Sequence, residues 1–169
     1  TSFSSFFFKF LKMFLLLSYK TTFEDFYGEG HNPIKEYTAP DYTDTRIEAS
    51  ETNVYVHDCL FRGLSNQYDG GALFCTNTVQ RLLVEQSSFI FCYTDGKSGG
   101  YGGAIYFKNL ESGECILSRV CGFNFSYTYK GQLACIFTNI ESDTKNNVND
   151  SSITHTSNIG GGYPLYLNN

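Results

Sequence analysis

The histidines are the first residues in this chain to consider for catalysis. His31, His57 and His155 stand apart in the sequence, and none has a nucleophile and a matching base at a spacing that argues for catalysis. We therefore expect the histidines to lie on the solvated surface.

The carboxylates are the second set of residues that could do chemistry. A polysaccharide-cleaving enzyme would gather them on one flank of the molecule, together with Arg, Lys or His. The acidic residues in the later part of the chain share no single position in the repeat described below. They are Asp58, Asp69, Glu85, Asp95, Glu111, Glu114, Glu141, Asp143 and Asp150. The sequence accordingly predicts no catalytic residues.

The glycine-rich stretch Gly99-Gly-Tyr-Gly-Gly-Ala-Ile-Tyr-Phe107 raises two ligand hypotheses. Calcium-binding β-rolls place an Asp after the glycines, and Ala104 occupies that position here without an oxygen ligand. A dinucleotide fingerprint would need glycine where Ile105 stands, within a βαβ unit that is missing. The sequence has no Cys-x-x-Cys pair, which is the spacing that would indicate a zinc site. The sequence predicts a tight turn in this stretch, with no metal site and no cofactor.

The six cysteines raise the question of disulfides: Cys59, Cys75, Cys92, Cys115, Cys121 and Cys135. In the repeat alignment Cys59 and Cys121 share a column two coils apart, which strand spacing makes about 9.6 Å. A disulfide needs a Cα separation of about 4.4–6.8 Å. We predict that Cys59 and Cys121 are small buried residues. The state of the other cysteines is left open.

Two Asn-x-Ser sequons indicate a secreted setting. Asn124 precedes Phe-Ser126, and Asn149 precedes Asp-Ser151. The alternation of the strands places both asparagines outward, next to an inward Phe123 and an inward Val148. Asn124 and Asn149 are therefore candidate N-glycosylation sites.

The composition narrows the class of protein. The 169 residues include 17% aromatic residues without any Trp and only 17% charged residues, which favours short strands over helices. The formal net charge is −5, and the Lys and Arg residues are scattered singly. No basic stripe exists, so we expect no nucleic-acid partner.

A repeat of about 30 residues organises the later part of the chain. One landmark is an apolar residue spaced 28, 34 and 30 residues apart, at Phe61, Phe89, Phe123 and Ile153. A second landmark begins with Gly and is spaced 32, 29 and 30 residues apart, at Gly70-Gly71, Gly102-Gly103, Gly131-Gln132 and Gly161-Gly162. Two landmarks with one period are typical of a solenoid.

The residues before the first landmark alternate as they do in a strand buried on one face. Three columns lead up to it: Val54, Leu82, Ile116 and Asn146; Val56, Val84, Ser118 and Val148; and the small residues Cys59, Ser87, Cys121 and Ser151. Residues between these columns are predicted to face outward: His57, Glu85, Arg119 and Asn149. A second short strand follows the glycines, and its register is left open because Leu133-Ala134 and Pro164-Leu165 fit one residue off.

A strand-turn-strand unit of this size cannot bury a core alone and must stack on the next copy. We predict an all-β fold, a right-handed parallel β-helix of about four coils over residues 46–169, with Phe on Phe on Phe on Ile inside. A propeller is the rival, but its blades need about 40 residues. Residues 1–45 would be an irregular lead-in or cap. Its apolar run at residues 6–17 is either a secretory signal or part of a longer parent chain.

The tetrapeptides Gly70-Gly-Ala-Leu73 and Gly102-Gly-Ala-Ile105 resemble the hallmark motif of the polymorphic outer-membrane protein family. They also resemble the related right-handed β-helix repeat proteins of parasitic protists. The framework Val-x-x-Cys/Ser-x-Phe that precedes them is most similar to the protist versions. The family's second motif, Phe-x-x-Asn, is missing, because Leu64, Cys92 and Ser126 take the Asn place.

This resemblance implies a non-enzymatic protein, secreted or exposed at the cell surface, that serves in adhesion or display to a host. Its partner would be a host-surface protein or a glycan, and no small-molecule cofactor or catalytic residue is implied. Two alternatives stay open. One is a carbohydrate-active β-helix enzyme, a lyase or a hydrolase. The other is a truncated member of the repeat family without independent function.

Overall fold

The computed structural model describes residues 21–95, 100–123, 134–138, 144–154 and 165–168. The apolar run at residues 6–17, Asn124 and His155 lie outside these residues. The described part holds one helix, α1 (Phe23–Tyr27), and sixteen strands. The strands are β1 (Lys35–Tyr37), β2 (Ile47–Ala49), β3 (Asn53–His57), β4 (Leu60–Arg62), β5 (Ser65–Asn66), β6 (Leu73–Cys75), β7 (Arg81–Glu85), β8 (Ser88–Ile90), β9 (Tyr93–Thr94), β10 (Ile105–Asn109), β11 (Glu114–Ser118), β12 (Cys121–Phe123), β13 (Ala134–Thr138), β14 (Asn147–Asn149), β15 (Ser152–Thr154) and β16 (Leu165–Asn168).

Three parallel sheets run the length of the molecule. The first sheet has the order β1-β3-β7-β11-β14, the second β4-β8-β12-β15, and the third β2-β6-β10-β13-β16. A short ladder joins β5 to β9. Each coil of the chain contributes one strand to each of the three main sheets, so the predicted parallel β-helix of about four coils is confirmed.

Each coil has three main strands rather than the two predicted, because one residue breaks the first predicted strand. That residue takes positive φ at the same position in every coil: Asp58 (53°), Gln86 (45°), Arg119 (55°) and Asp150 (48°). The amides of Asp58, Gln86 and Arg119 donate to carbonyls of the next coil, as in Gln86 N–H to the Ser118 carbonyl at 3.0 Å. The bend therefore turns the chain from the first sheet into the second without breaking the stack.

The small residue after this bend has a structural reason. Ser87 Oγ accepts a hydrogen bond from the amide of Cys59 at 3.2 Å and donates one to the Glu85 carbonyl at 2.8 Å. Ser151 makes the equivalent pair of bonds, with the amide of Val120 and the Asn149 carbonyl. A short side chain with a hydroxyl thus joins one coil to the next.

The predicted column of aromatic residues is wrong in the third coil. Phe61 pairs with Phe89, but Phe89 then pairs with Gly122, which pairs with Ile153. Phe123 lies one residue further along and is 39% exposed. At the other end of the interior stack, the ring of Tyr42 lies 4.8 Å from that of Phe61.

The same shift of one residue applies to the other third-coil positions. Val84 pairs with Leu117 rather than Ser118, and Leu82 with Cys115 rather than Ile116. The position that follows Ser87 along the stack is Val120, not Cys121, as the Ser151 hydrogen bond shows. Inward residues of the first sheet are therefore 28, 33 and 31 residues apart, at Val56, Val84, Leu117 and Val148. Phe123 therefore does not mark the same position as Phe61 and Phe89. The equivalent residue in the third coil is Gly122, which has no apolar side chain to reveal the register.

The third sheet settles the register that the sequence left open. Ile47, Leu73, Ile105, Ala134 and Leu165 are paired in one column. The turn before it needs glycine: Gly70 and Gly102 have φ of 67° and 63°. A Cβ at either would collide with the carbonyl oxygen three residues later, at Leu73 and Ile105. The glycine pairs are thus turn and close-packing residues, as predicted.

Part of the lead-in adds to the stack. Strand β1 pairs with β3, and Tyr42 forms a parallel bridge to Phe61. Helix α1 begins with a capping box, in which Thr22 Oγ1 accepts from the Asp25 amide and the Asp25 carboxylate accepts from the Thr22 amide. No helix within the described ranges is long and apolar enough to cross a membrane. The division of the chain at residues 45 and 46 stays a prediction.

Candidate functional site

The outer face of the first sheet is covered by helix α1. Tyr55, Leu83 and Ile116 form an outward column across β3, β7 and β11. Phe23 and Tyr27 of the helix pack on this column, and all five side chains are buried. The hydroxyl of Tyr27 donates to the Leu82 carbonyl at 2.6 Å. We call this surface the helix-covered face.

A buried carboxylate lies within the helix-covered face. Glu85 is 2% exposed, and one of its oxygens accepts from the hydroxyl of Tyr55. The other oxygen contacts the Arg119 guanidinium and the hydroxyl of Thr21. Burial, followed by the hydrogen bond to Glu85, raises the pKa of Tyr55. The phenol therefore stays protonated and donates, and the charge of Glu85 is matched by Arg119.

His57 is buried, so the prediction that it lies on the solvated surface is wrong. It is 4% exposed, because its strand lies under the lead-in and its ring packs 4.3 Å from that of Tyr55. His57 Nδ1 lies 2.8 Å from the carboxylate of Asp58. Nε2 is buried, has no hydrogen-bond partner within the described part of the chain, and lies 3.7 Å from Glu36 Oε2. His31 is half-buried, and His155 lies outside the described residues.

The structure gathers more carboxylates here than the sequence indicated. Glu36 and Asp58 flank His57, and Glu85 is paired with His57 in the next strand. The pairing of His57 with Glu85 follows from the repeat alignment, but Glu36 belongs to the lead-in, which carries no repeat pattern. Where the chain is described, no three His, Cys, Asp or Glu side chains form a metal-binding group.

A cleft of about 350 Å³ opens beside this cluster, between α1 and β1. Its walls are Thr22, Phe23, Glu24, Asn32, Pro33, Glu36 and Tyr55. Glu36 and Tyr55 also contact His57, so the histidine adjoins two residues of the cleft wall. Glu24 and Glu36 give the cleft a negative charge.

The outer face of the third sheet carries a second candidate site. Phe74 and Tyr106 are paired in neighbouring coils, and their rings stack at 5.6 Å with an angle of 6°. The guanidinium of Arg46 lies 5.0 Å from the centre of the Phe74 ring. Arg46 also donates to the Asp69 and Gly70 carbonyls, at 2.7 and 3.1 Å. The backbone of the glycine turn therefore fixes Arg46 over the ring of Phe74.

Two adjoining clefts follow this face of the third sheet. One, of about 340 Å³, is lined by Asp69, Phe74, Cys75, Thr76, Asn77, Tyr106 and Lys108. The other, of about 280 Å³, is lined by Asn77, Thr78, Lys108, Asn109, Leu110 and Glu111. They share Asn77 and Lys108, so together they form one groove between two coils. We call it the third-sheet groove.

Asn109 holds one end of the third-sheet groove in place. Its amide nitrogen donates to the carbonyls of Asn77 and Val79, at 3.1 and 3.0 Å. Its amide oxygen accepts from the amides of Glu111 and Ser112. Sequence reasoning missed Asn109, because its role depends on contacts with the preceding coil.

The cysteines divide into buried and exposed thiols. In the part of the chain that the structure describes, Cys59, Cys75, Cys92, Cys115 and Cys121 are all free. Cys59 is buried, as predicted, but Cys121 is exposed, because the third coil is shifted by one residue. Burial raises the pKa of the Cys92 thiol to about 12 and also raises those of Cys59, Cys75 and Cys115.

The two candidate glycosylation sites have different standing. Asn149 ends β14 and is half-buried, next to Val148, which packs on the core. The hydroxyl of Ser151, the third residue of that sequon, is already used in the hydrogen bonds between coils. Asn124 is outside the described residues, and modification of either asparagine stays a prediction.

Comparison with known proteins adds no relative to this picture. The chain matches no protein-family model, no curated protein and no solved structure. The fold and the two surfaces described above are therefore the basis for assigning a function.

Proposed function

We propose that this protein is a non-enzymatic scaffold, secreted or exposed at the cell surface, that binds an extended glycan along the third-sheet groove. The observation that carries the proposal is the shared lining of the two clefts by Asn77 and Lys108 across two coils. A binding site made from successive coils suits a ligand that is itself extended and repetitive.

The lining of the groove favours a glycan over an apolar peptide. Hydroxyl and amide groups come from Thr76, Thr78 and Asn77, and charges come from Lys108 and Glu111. These groups can donate to and accept from the hydroxyls of a sugar. The stacked rings of Phe74 and Tyr106 add a rigid apolar surface to the lining of the groove.

The surface location is supported by the motifs. Gly70-Gly-Ala-Leu73 and Gly102-Gly-Ala-Ile105 form the turns that lead into the third sheet, which agrees with their resemblance to the polymorphic outer-membrane and protist repeat families. Those families imply adhesion or display. The two sequons agree with a secreted setting.

The binding proposal is tested with the full chain, labelled with a fluorophore, on an array of defined neutral and acidic oligosaccharides. We expect saturable binding to a subset of them, and at least a tenfold loss of affinity in Lys108→Glu. Arg62→Glu is the matched control, because Arg62 is exposed on the second sheet and away from the groove. Equal binding by both variants, or binding only to protease-sensitive sites on intact cells, would rule out the glycan groove.

The location is tested separately on intact cells that express the chain. We expect labelling by a membrane-impermeant reagent and a mass decrease after glycosidase treatment that is reduced by Asn149→Gln or Asn124→Gln. Unlabelled and unmodified protein would exclude the surface scaffold.

A carbohydrate-active enzyme is the second candidate, favoured by Glu36 and Asp58 on either side of His57. Such an enzyme would use one carboxylate as acid and another as base or nucleophile. Release of new reducing or unsaturated ends from polysaccharides by the wild type, abolished in Glu36→Gln, would favour the enzyme. Equal product release by wild type and variant would exclude Glu36 as a catalytic residue.

A further inference from the structure

We propose that His57 and Glu36 together bind a divalent transition-metal ion such as Zn²⁺ or Co²⁺ beside the cleft between α1 and β1. This inference is independent of the proposed glycan groove, which lies on another sheet. It rests on the contacts of His57, on the gap between two acceptor atoms, and on the chemistry of the cleft.

The imidazole of His57 is held at Nδ1 by Asp58. Asp58 lies 2.8 Å from His57 Nδ1, and a carboxylate at that distance accepts the Nδ1 proton. In the neutral imidazole with its proton on Nδ1, Nε2 presents a lone pair. A carboxylate that holds the far nitrogen of a histidine in this way is the usual support for a metal-binding imidazole.

His57 Nε2 is left unbonded by the residues that the structure describes. His57 is 4% exposed, and Nε2 is a buried nitrogen without a hydrogen-bond partner among the described residues. A buried polar atom left in this state destabilises the fold, because it has lost its hydrogen bond to water and gained none in exchange. The carboxylate oxygen Glu36 Oε2, on β1, lies 3.7 Å from it and is itself an acceptor.

The distance between His57 Nε2 and Glu36 Oε2 fits a metal ion better than a hydrogen bond or a bridging water. Nε2 and Oε2 are 3.7 Å apart, which is too long for a direct hydrogen bond of about 2.7–3.2 Å. A bridging water would hold two acceptors about 4.5 Å apart. A metal ion with bonds of about 2.0–2.2 Å to nitrogen and oxygen spans 3.7 Å with an angle of about 125°.

The cleft beside His57 and Glu36 offers both space and negative charge. The cleft of about 350 Å³ is walled by Glu36 and Glu24, so it has space for water ligands and attracts cations. Two protein ligands give a modest affinity, with water completing the coordination. A mixed nitrogen and oxygen donor set favours Zn²⁺, Co²⁺ or Ni²⁺ over Ca²⁺ or Mg²⁺.

The test is a titration of the full chain with Co²⁺, followed by its visible absorption, and with Zn²⁺ as competitor. We expect one saturable site in the wild type. Glu36→Gln should lose it, and Asp58→Asn should weaken it by about 10–100-fold, because Asp58 holds the imidazole without binding the ion. Calcium at the same concentration should not compete.

The controls separate loss of the site from loss of the fold. Glu36 is exposed, so Glu36→Gln should keep the wild-type circular dichroism, whereas His57→Gln at a buried position is checked for folding first. His31→Gln and Glu48→Gln, which remove a histidine and a carboxylate elsewhere, should leave the titration unchanged. Saturable binding that persists in Glu36→Gln, or the lack of any saturable binding in the wild type, would overturn the proposal.

Discussion

Glu85 and Arg119 form an ion pair that joins two neighbouring coils next to Thr21, which lies just before helix α1. Glu85 ends β7, and Arg119 occupies the bend just after β11. The pair is completed by hydroxyls from Tyr55 and Thr21, so it ties the first sheet to the residues that lead into α1. This relationship makes the helix-covered face a stability element.

Removal of Arg119 should destabilise the protein, because it leaves the buried carboxylate of Glu85 unmatched. We expect Arg119→Ala to lower the free energy of unfolding in urea by about 2 kcal/mol. Breaking a fully buried ion pair costs about 3–5 kcal/mol, and the loss is smaller here because the Arg119 side chain is 38% exposed. Arg119→Ala combined with Glu85→Gln should recover part of that loss. Arg62→Ala serves as the control and should change little. A double variant as unstable as the sum of its parts would contradict the pairing.

Glycine at the turn into the third sheet should be irreplaceable. Gly102 and Gly63 have similar φ, 63° and 66°, but a Cβ at Gly102 meets the Ile105 carbonyl while one at Gly63 meets nothing within 4 Å. Both substitutions to Ala carry about 1–2 kcal/mol of backbone strain. The collision should add about 1–3 kcal/mol in Gly102→Ala only. Equal urea midpoints for the two variants would show that packing at the turn is unimportant.

Ser87 should contribute more than its size suggests, because its hydroxyl bonds to two coils. Ser87→Ala leaves the buried amide of Cys59 and the carbonyl of Glu85 without that partner. We expect a loss of about 1–3 kcal/mol in the free energy of unfolding. Ser88→Ala, at the half-buried neighbouring position, should stay within about 0.5 kcal/mol. The reverse order of the two variants would refute the assignment.

Thiol reactivity should follow burial. Cys121 is exposed, whereas Cys59, Cys75, Cys92 and Cys115 are buried and have raised pKa values. Brief alkylation of the native protein at pH 8, followed by peptide mass spectrometry, should therefore label Cys121 well before those four. The same treatment in urea should label all of them alike. Native labelling of Cys92 as fast as Cys121 would contradict the buried core.

Alkaline pH should destabilise the fold through the buried thiols. Burial raises the pKa of Cys92 from an ordinary value of 9.0 to about 12, so the unfolded chain loses this proton first. Stability is retained below pH 9 and falls as the pH rises from about 9 toward 12. Urea midpoints measured between pH 8 and pH 10.5 should fall less steeply in Cys92→Ala than in the wild type. Parallel slopes would mean that Cys92 ionises equally in both states.

The alternation of apolar residues and the glycine pairs were sufficient to predict the stacked coils. Val54, Val56 and Phe61 line up with Leu82, Val84 and Phe89 as the sequence indicated, because a buried strand admits apolar side chains at every second position. The positive φ at Gly70 and Gly102 likewise follows from the residue type.

The register of the third coil could not be predicted from side-chain type. Gly122 faces the interior while Phe123 is exposed, so the apolar residue that best marks a unit elsewhere misplaces this one. The bend at Asp58, Gln86, Arg119 and Asp150 was also hidden, since these residue types share no preference strong enough to reveal a left-handed conformation.

The period, the parallel stacking and the role of the glycine pairs were predictable from the sequence, because each depends on local residue type and spacing. Which polar residues meet depends on how the coils pack. Glu36 lies outside the repeat, yet it reaches His57 because β1 adds to the first sheet. Asn77 and Lys108 belong to different coils, and they share a groove because of how those coils stack. Such contacts depend on long-range packing, which no local pattern of residues encodes.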